Sequence, residues 1–374
     1  MDPNPPETAP GDPRWTADDA RRIALTASCR DADDLPRARG AGEITDRDGV
    51  PVQVMHNGVV VEKDGYCGPW MTELIRRLGG CHEPQEERVF ARVLERVAAT
   101  EPDPSMIELG SSWAYYSLWF LSVLPAGRVA GVEPDPAFLA LGQRNAALNG
   151  RSVTLLPGAI GPGSPLAADG EEVAVSIESE AATRPVPRRT VASLADEAGF
   201  GRISVLLADI QGAEAHLVEQ LDGLIAAGRL RFVIISTHHH RLSGDPLLHR
   251  RVLDRLAGLG GHVVAEHSVA ESYSGDGLVA VSYDPQDRDL TVEVSRCRAG
   301  DSLFGDPLED LAEALGERDA ARAAAAAQAG AATVAARQLA ETRARLAALE
   351  GSKVWRWSQL PRDLYAKLRS GRPS

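Results

Sequence analysis

The sequence predicts an α/β fold whose core is a doubly wound sheet of seven mostly parallel strands. Strand-like and helix-like segments alternate over residues 101–305, which is typical of a parallel sheet with helices on both faces. The stretch Ser105–Phe120 reads as a strand, a tight turn and a helix, and the next apolar run ends at Glu133. Residues 272–277 join the last two strands and are too few for a parallel crossover, so these strands should pair antiparallel.

The individual elements of this sheet follow from the period of the apolar residues. Short apolar runs predict strands at 105–109, 128–132, 152–156, 203–208, 231–237, 262–266 and 277–283. Longer amphipathic segments predict helices at 113–124, 136–148, 190–198, 213–227 and 246–258.

A segment of helices and a hairpin precedes the sheet. Trp15 to Arg30 predicts a helix with Thr16 as its N-cap, and the polar residues 31–50 predict a loop. His56-Asn57-Gly58 lies between two apolar runs and is a strong hairpin signal. Two further helices are predicted at 71–78 and 86–98.

Composition changes divide the chain into five predicted parts. They are a disordered N-terminus, a lid segment, a ligand-binding α/β domain, an Ala-rich long helix or helical hairpin, and a basic amphipathic tail: 1–14, 15–100, 101–305, 306–350 and 351–374. The Ala-rich part favours a tight helix pair, so we expect coiled-coil self-association there. The tail has six Lys and Arg residues against one Asp and suits an acidic protein surface or an anionic membrane face.

The overall composition excludes several classes of protein. With 44% hydrophobic and 25% charged residues the 374-residue chain is typical of a globular protein. A net charge of −13 disfavours a nucleic-acid partner, which would need a basic face. The four cysteines are scattered, and no signal peptide or membrane-spanning run is found, so we predict a cytoplasmic protein.

The turn after the first strand predicts a nucleoside site. Glu108 and Gly110 stand at the carboxyl end of that strand, where ligands of open α/β sheets bind. Glu133 comes 23 residues after Gly110, close to the roughly 20 expected of an acid that accepts hydrogen bonds from ribose hydroxyls. The turn lacks the Gly-x-Gly-x-x-Gly pattern, so an adenosyl group without a pyrophosphate fits better than a dinucleotide. An ordinary buried βαβ turn with two surface acids is the alternative.

A second strand ends in an acid, a glycine and a helix. Its sequence is Leu206-Leu-Ala-Asp209-Ile-Gln-Gly212-Ala-Glu214. In a doubly wound sheet Asp209 would lie beside the first turn. Glu214 begins the next helix and could simply complement the helix dipole.

These motifs together resemble the FkbM-type methyltransferases. Asp209-Ile-Gln-Gly-Ala-Glu214 is similar to the family's Asp-Val-Glu-Gly-x-Glu signature, Glu108-Leu-Gly-Ser-Ser-Trp-Ala114 to its first motif and Val132-Glu-Pro-Asp135 to its ribose motif. The resemblance covers roughly residues 85–285 and departs from the pattern at Glu108, Ser112, Ala114 and Gln211. It implies a Rossmann-like fold with strand order 3-2-1-4-5-7-6, S-adenosylmethionine as cofactor, and O-methylation of a hydroxyl of a sugar, glycan or natural product.

The resemblance also implies which residues form the site. Those expected to bind the cofactor are Glu108, Gly110, Ser111, Ser112, Glu133, Pro134, Ala159 and Asp209. Family members fold the segment before the first motif over the cofactor, and the candidates for this lid and the acceptor pocket are His56, Tyr66, His82, Gln85 and Glu86.

Three consecutive histidines, His238 to His240, follow a strand predicted to be central. Removing the proton of an acceptor hydroxyl suits a neutral imidazole, so we predict His238, with His239 and Asp209, as the catalytic group. A structural loop is one alternative. A metal site completed by Glu266 or His267 is another, and we predict no metal ligands.

Two other functions remain open from the sequence. The changed first motif and Gln211 also suit a scaffold that has lost its chemistry and recruits a partner through its C-terminal helix. An NAD-dependent dehydrogenase is disfavoured because the glycine pattern for a pyrophosphate is missing.

Overall fold

The structure is a computed structural model that describes residues 16–163, 171–304 and 307–353, together with residues 357, 365, 366 and 369. The predicted disordered N-terminus, 1–14, lies outside the described residues, as does most of the basic tail. The chain divides into two units, Met1–Asp310 and Leu311–Ser374.

The N-terminal segment contains three helices and a small antiparallel sheet of order β1-β2-β3. Their bounds are α1 Ala17–Thr26, β1 Ile44–Arg47, β2 Val50–Val54, β3 Val60–Glu62, α2 Pro69–Arg77 and α3 Pro84–Thr100. The Asn-Gly turn joins β2 to β3, which confirms the predicted hairpin. Strand β1 was predicted as a loop, because all four of its residues are exposed and none of the apolar alternation of a strand is present.

The central sheet has seven strands, as predicted. Its strands are β4 Ser105–Leu109, β5 Arg128–Glu133, β6 Thr154–Pro157, β9 Ile203–Ala208, β10 Leu230–Thr237, β11 His262–His267 and β12 Gly277–Ser282. A separate hairpin, formed by β7 Glu172–Ile177 and β8 Ala182–Pro187, comes between β6 and β9 in the chain. The order β11-β12-β10-β9-β4-β5-β6 is the expected one, and β12 pairs antiparallel with both of its neighbours.

Helices cover both faces of this sheet. They are α4 Tyr115–Val123, α5 Pro136–Leu148, α6 Val191–Glu197, α7 Glu214–Val218, α8 Asp222–Ala226, α9 His240–Ser243 and α10 Leu248–Gly258. The single helix predicted over 213–227 is two short helices, α7 and α8. Successive strand residues point to opposite faces of the sheet. Met106 belongs to the apolar core that includes residues of α3 and α4, and Ile107 belongs to the core that includes residues of α6 and α10.

The parallel register brings the critical strand ends to one edge. Leu109 of β4 pairs with Val132 of β5 and with Ala208 of β9. Gly110, Glu133 and Asp209 therefore follow at the same edge of the sheet, where ligands bind in open α/β sheets.

The second unit is dominated by one helix, α11, Pro307–Gly351. It is continuous through Gly316 and Gly330, so the alternative of a helical hairpin is not observed. Among its described side chains Leu315, Val334, Leu339 and Leu346 are exposed. Coiled-coil association through this helix and contact of the tail with a membrane or protein stay predictions. No helix in the described part of the chain is long and apolar enough to cross a membrane.

Candidate active site

A cleft of about 460 Å³ opens at the carboxyl ends of β4, β5 and β9. Its volume is in the range of small-molecule sites. It is lined by seven residues predicted for cofactor or lid: Tyr66, Gly110, Ser112, Glu133, Pro134, Ala159 and Asp209. The cleft lies where the sequence placed the nucleoside.

The turn after β4 needs glycine at position 110. Its φ of +75° is left-handed, and a Cβ there would lie 1.8 Å from the backbone oxygen of Asp209. Ser112 and Ala114 also have positive φ, at 40° and 61°. Ala114 stands where the family pattern has glycine, and as an L-residue it accepts this strained conformation at the start of α4.

Glu133 is held in place by backbone amides. Its Oε2 accepts from the N–H of Ser112 at 2.9 Å, and its Oε1 accepts from the N–H of Asp135 at 2.8 Å. Each carboxylate oxygen has a second lone pair, so two positions remain for hydroxyl donors from the cleft. Burial raises the pKa of Glu133 to about 7, although both amides oppose the shift.

Glu108 and Ser111 are placed differently from the expectation. The Glu108 carboxylate accepts from the N–H of Ser117 at 3.0 Å and from its hydroxyl, so it binds to helix α4. Burial raises the pKa of Glu108 to about 8, and the two Ser117 hydrogen bonds lower it less. Ser111 is buried at 1% exposure, and neither residue is among those that line the cleft in the described chain. A role for these two side chains in cofactor binding stays a prediction.

His238 lies among three carboxylates. Its Nδ1 is 2.6 Å from Glu214 and its Nε2 is 3.0 Å from Asp209 and 3.7 Å from Asp276. The Glu214 side chain is fully buried and holds Nδ1, while Asp209 and Asp276 lie on the side of Nε2. From the sequence, Glu214 could simply complement the dipole of the helix that it begins. In the structure its carboxylate contacts the ring of His238 and orients it.

The charge state of His238 differs from the sequence-based expectation. Burial lowers the pKa of the imidazole, but Asp276, Asp209 and Glu214 outweigh it and raise the pKa well above its usual value. This raised pKa favours the protonated imidazolium, whereas the sequence predicted a neutral imidazole as the base. Asp276 was interpreted as part of a turn, and burial raises its pKa to about 7 against the opposing charge of His238.

His239 and His240 are not among the described residues that line the cleft. The His239 ring stacks on Phe304 with centroids 4.2 Å apart, and its Nδ1 accepts from the N–H of Arg241.

Glu266, which the metal alternative would use as a ligand, hydrogen-bonds with His249 and Arg296. Within the described chain the candidate metal group formed by His, Cys, Asp and Glu does not include residues 238–240, so the metal alternative at these histidines finds no support.

The predicted lid residues separate into two groups. Tyr66 lines the cleft and stacks on Trp113 at 4.5 Å. The side chains of His56, His82, Gln85 and Glu86 are buried, and Glu86 accepts a hydrogen bond from Ser236 of β10. Gln85, for example, bonds to the backbone of Tyr273 and Ser295, which anchors α3 to the sheet domain.

One wall of the cleft was missed by the sequence analysis. Hairpin β7–β8 contributes Val173 to Ser176 and Glu178. Its tip is attached to the nucleoside motif, because Ser179 donates its N–H and its hydroxyl to Asp135 at 2.8 and 2.6 Å. The alternation in Glu-Val-Ala-Val-Ser-Ile, 172–177, was the available signal.

The cleft is acidic. Glu133, Asp135, Glu178 and Asp209 line it, with His216 as the basic residue among the described lining. Such a surface repels phosphates and favours a ligand that carries positive charge and hydroxyl groups.

Comparison with known proteins agrees with this geometry. Residues 96–263 match the methyltransferase FkbM domain. No curated protein sequence matches the chain. The solved structures similar to it include the ribosomal protein L11 methylase from Lactobacillus delbrueckii subsp. bulgaricus, at 17% identity over 55% of this chain and 80% of that one, with a TM-score of 0.33. An O-methyltransferase from Bacillus cereus is similar at 12% identity over 52% and 80%, with a TM-score of 0.34.

Proposed function

We propose that this protein, whose residues 96–263 match the methyltransferase FkbM domain, transfers a methyl group from S-adenosylmethionine to a hydroxyl of a sugar, glycan or natural product. The observation that supports the cofactor most directly is Glu133, an acid fixed by two amides at a strand end with free lone pairs toward the cleft.

The residues present fit an adenosyl sulfonium compound. Glu133 would accept the ribose hydroxyls, and the cleft continues past Ala159 and Gly161 along the hairpin, which offers apolar contacts for a base. Asp209 and Gly110 close the other side, where a positively charged amine and sulfonium would meet a carboxylate. The absence of a glycine-rich cradle is consistent with a cofactor that has no phosphate.

Bound S-adenosylmethionine would supply an electrophilic methyl group. The chain's own contribution begins with positioning, because holding two reactants at near-attack distance replaces much of the barrier. Asp209 is the carboxylate that faces both the cleft and His238, so it would accept the proton of the acceptor hydroxyl. His238, held by Glu214, would orient Asp209 and stabilise its charge until that transfer.

Label transfer tests this function. The protein is incubated with S-adenosylmethionine carrying a radiolabelled methyl group and with a panel of sugars, oligosaccharides and polyhydroxylated natural products. We expect label in at least one acceptor, with mass spectrometry placing the methyl group on oxygen. Label on nitrogen would contradict the hydroxyl acceptor. A protein that binds the cofactor but transfers no label to any acceptor would instead be the scaffold that the sequence left open.

A further inference from the structure

Three buried side chains converge outside the cleft. His56 lies in the β2–β3 turn, Cys81 in the α2–α3 connection and Glu87 in the first turns of α3. Their ligand atoms all lie within 4.8 Å of one another, and the residues are 2%, 0% and 0% exposed. None of the three lines the cleft in the described chain, so the cluster is separate from the proposed active site.

The tautomer of His56 leaves its Nε2 lone pair available to a ligand. Its Nδ1 is 3.2 Å from the carbonyl oxygen of Pro36, an acceptor only, so Nδ1 carries the proton. Nε2 is then an acceptor, and it has no hydrogen-bond partner among the described residues. Metal-ligating histidines have this arrangement, with one nitrogen donating to a carbonyl and the other free for the metal.

Glu87 likewise has one side-chain oxygen in hydrogen bonds and one without a partner among the described residues. Its Oε1 accepts from the backbone N–H of His82 at 3.0 Å and from the ring Nδ1 of His82 at 2.6 Å. Its Oε2 is buried and has no hydrogen-bond partner in the described chain. A buried polar atom without a partner typically costs about 1–3 kcal/mol, so two of them on residues of one cluster require an explanation.

We propose that His56 Nε2, Cys81 Sγ and Glu87 Oε2 bind a zinc-class divalent transition-metal ion. Imidazole, thiolate and carboxylate are the ligand types that zinc takes in proteins. A tetrahedral zinc site separates such atoms by about 3.4–3.6 Å, as its bond lengths dictate. On binding, the Cys81 thiol forms the sulfur–metal bond and its proton passes to solvent.

The backbone around the cluster is already fixed. The N–H of His56 donates to the carbonyl of Gly80 at 2.8 Å, and a Cβ at Gly80 would lie 2.3 Å from the His56 nitrogen. Positions 56 and 80 are therefore in close backbone contact, and only side-chain adjustments are needed to bring the ligands to bonding distance. The ion would join the β2–β3 turn, the α2–α3 connection and α3, which is a structural role.

Metal analysis tests the site. Because all three ligands are buried, the ion would enter during folding, so the full-length protein is expressed in zinc-supplemented medium, desalted and analysed by elemental mass spectrometry. We expect about one zinc per chain in the wild type and in the control Cys29→Ser, which replaces another buried cysteine. Cys81→Ser and His56→Gln should lose at least nine-tenths of the metal. Equal zinc in Cys81→Ser and wild type, or less than a tenth of an equivalent in folded wild type, would overturn the proposal.

A spectroscopic measurement on the wild type covers the case in which the variants do not fold. The protein is produced in cobalt-supplemented medium, and we expect a thiolate-to-cobalt charge-transfer band. Cobalt at one equivalent without that band would place the metal away from Cys81 and contradict the site. A folded wild type that takes up no cobalt would overturn the proposal.

Discussion

The Nε2 atom of His238 lies 3.0 Å from the carboxylate of Asp209, and the surrounding carboxylates raise the pKa of the ring well above its usual value. We therefore propose the Asp209 carboxylate, and not the imidazole, as the group that receives a proton at the edge of the cleft. Glu214 fixes the opposite nitrogen at 2.6 Å, so the three side chains form a chain from the interior to the cleft.

Replacing the proton acceptor should remove most of the activity. Asp209→Asn keeps the shape of the side chain but cannot take a proton, so we expect kcat to fall by roughly 10²–10⁴-fold. The measurement is label transfer to whichever acceptor the wild type uses. The matched control is Asp196→Asn, whose partner is Arg229 on the surface. Activity of the Asp209 variant within threefold of wild type would exclude Asp209 as the acceptor of the proton.

Glu214 should act through His238. Its carboxylate raises the pKa of the imidazole after burial has lowered it, so Glu214→Gln should lower that pKa. As pH rises, the variant then loses the imidazolium proton at a lower pH than the wild type does. The alkaline limb of the pH–kcat profile should therefore move to lower pH. Affinity for S-adenosylmethionine should be unchanged within about threefold, since Glu214 does not line the cleft in the described chain. The exposed Glu219→Gln is the control. A uniform loss of activity at every pH would indicate a purely structural role.

Cofactor affinity should depend on pH through Glu133. Its pKa is about 7, so lowering the pH protonates it and removes an acceptor for the ribose hydroxyls. Between pH 8 and pH 6 the ionised fraction falls from about 0.9 to about 0.1, and Kd should rise by up to about tenfold. Calorimetric titrations across this range measure it. Glu133→Gln should bind more weakly and show a flatter pH dependence; an equally steep dependence in that variant would assign it to another group.

Glu108 was predicted to bind the cofactor, but in the structure its carboxyl group accepts hydrogen bonds from Ser117 of α4. With a pKa of about 8, raised by burial, the carboxyl group is protonated at pH 7. Glu108→Gln is then nearly isosteric, and the free energy of unfolding should change by less than about 1 kcal/mol. Cofactor affinity should stay within about threefold. A loss of more than tenfold would return Glu108 to the methionine part of the site.

The sequence predicted the central sheet well because its strands are short apolar runs that end in Gly or acid. Strand β1 was not predicted because its four residues are all exposed and show no apolar alternation. Hairpin β7–β8 was missed because most of its residues are exposed, although Val173, Val175 and Ile177 alternate along β7. The edge position of Glu133 and Asp209 followed from strand order alone.

The charge of His238 could not be read from its neighbours in the chain. It depends on Asp276, which arrives from the β11–β12 connection and was interpreted as a turn residue. The cluster of His56, Cys81 and Glu87 was missed for the same reason, because its members come from three separate segments with none of the close spacing that marks a metal motif.

The most direct test of the account is a calorimetric titration of the wild-type protein with S-adenosylmethionine at pH 8, where Glu133 is ionised. We expect saturable binding at one site per chain, and no heat from NAD under the same conditions. Absence of binding to S-adenosylmethionine at millimolar concentration, or saturable binding of NAD in its place, would contradict the proposed function.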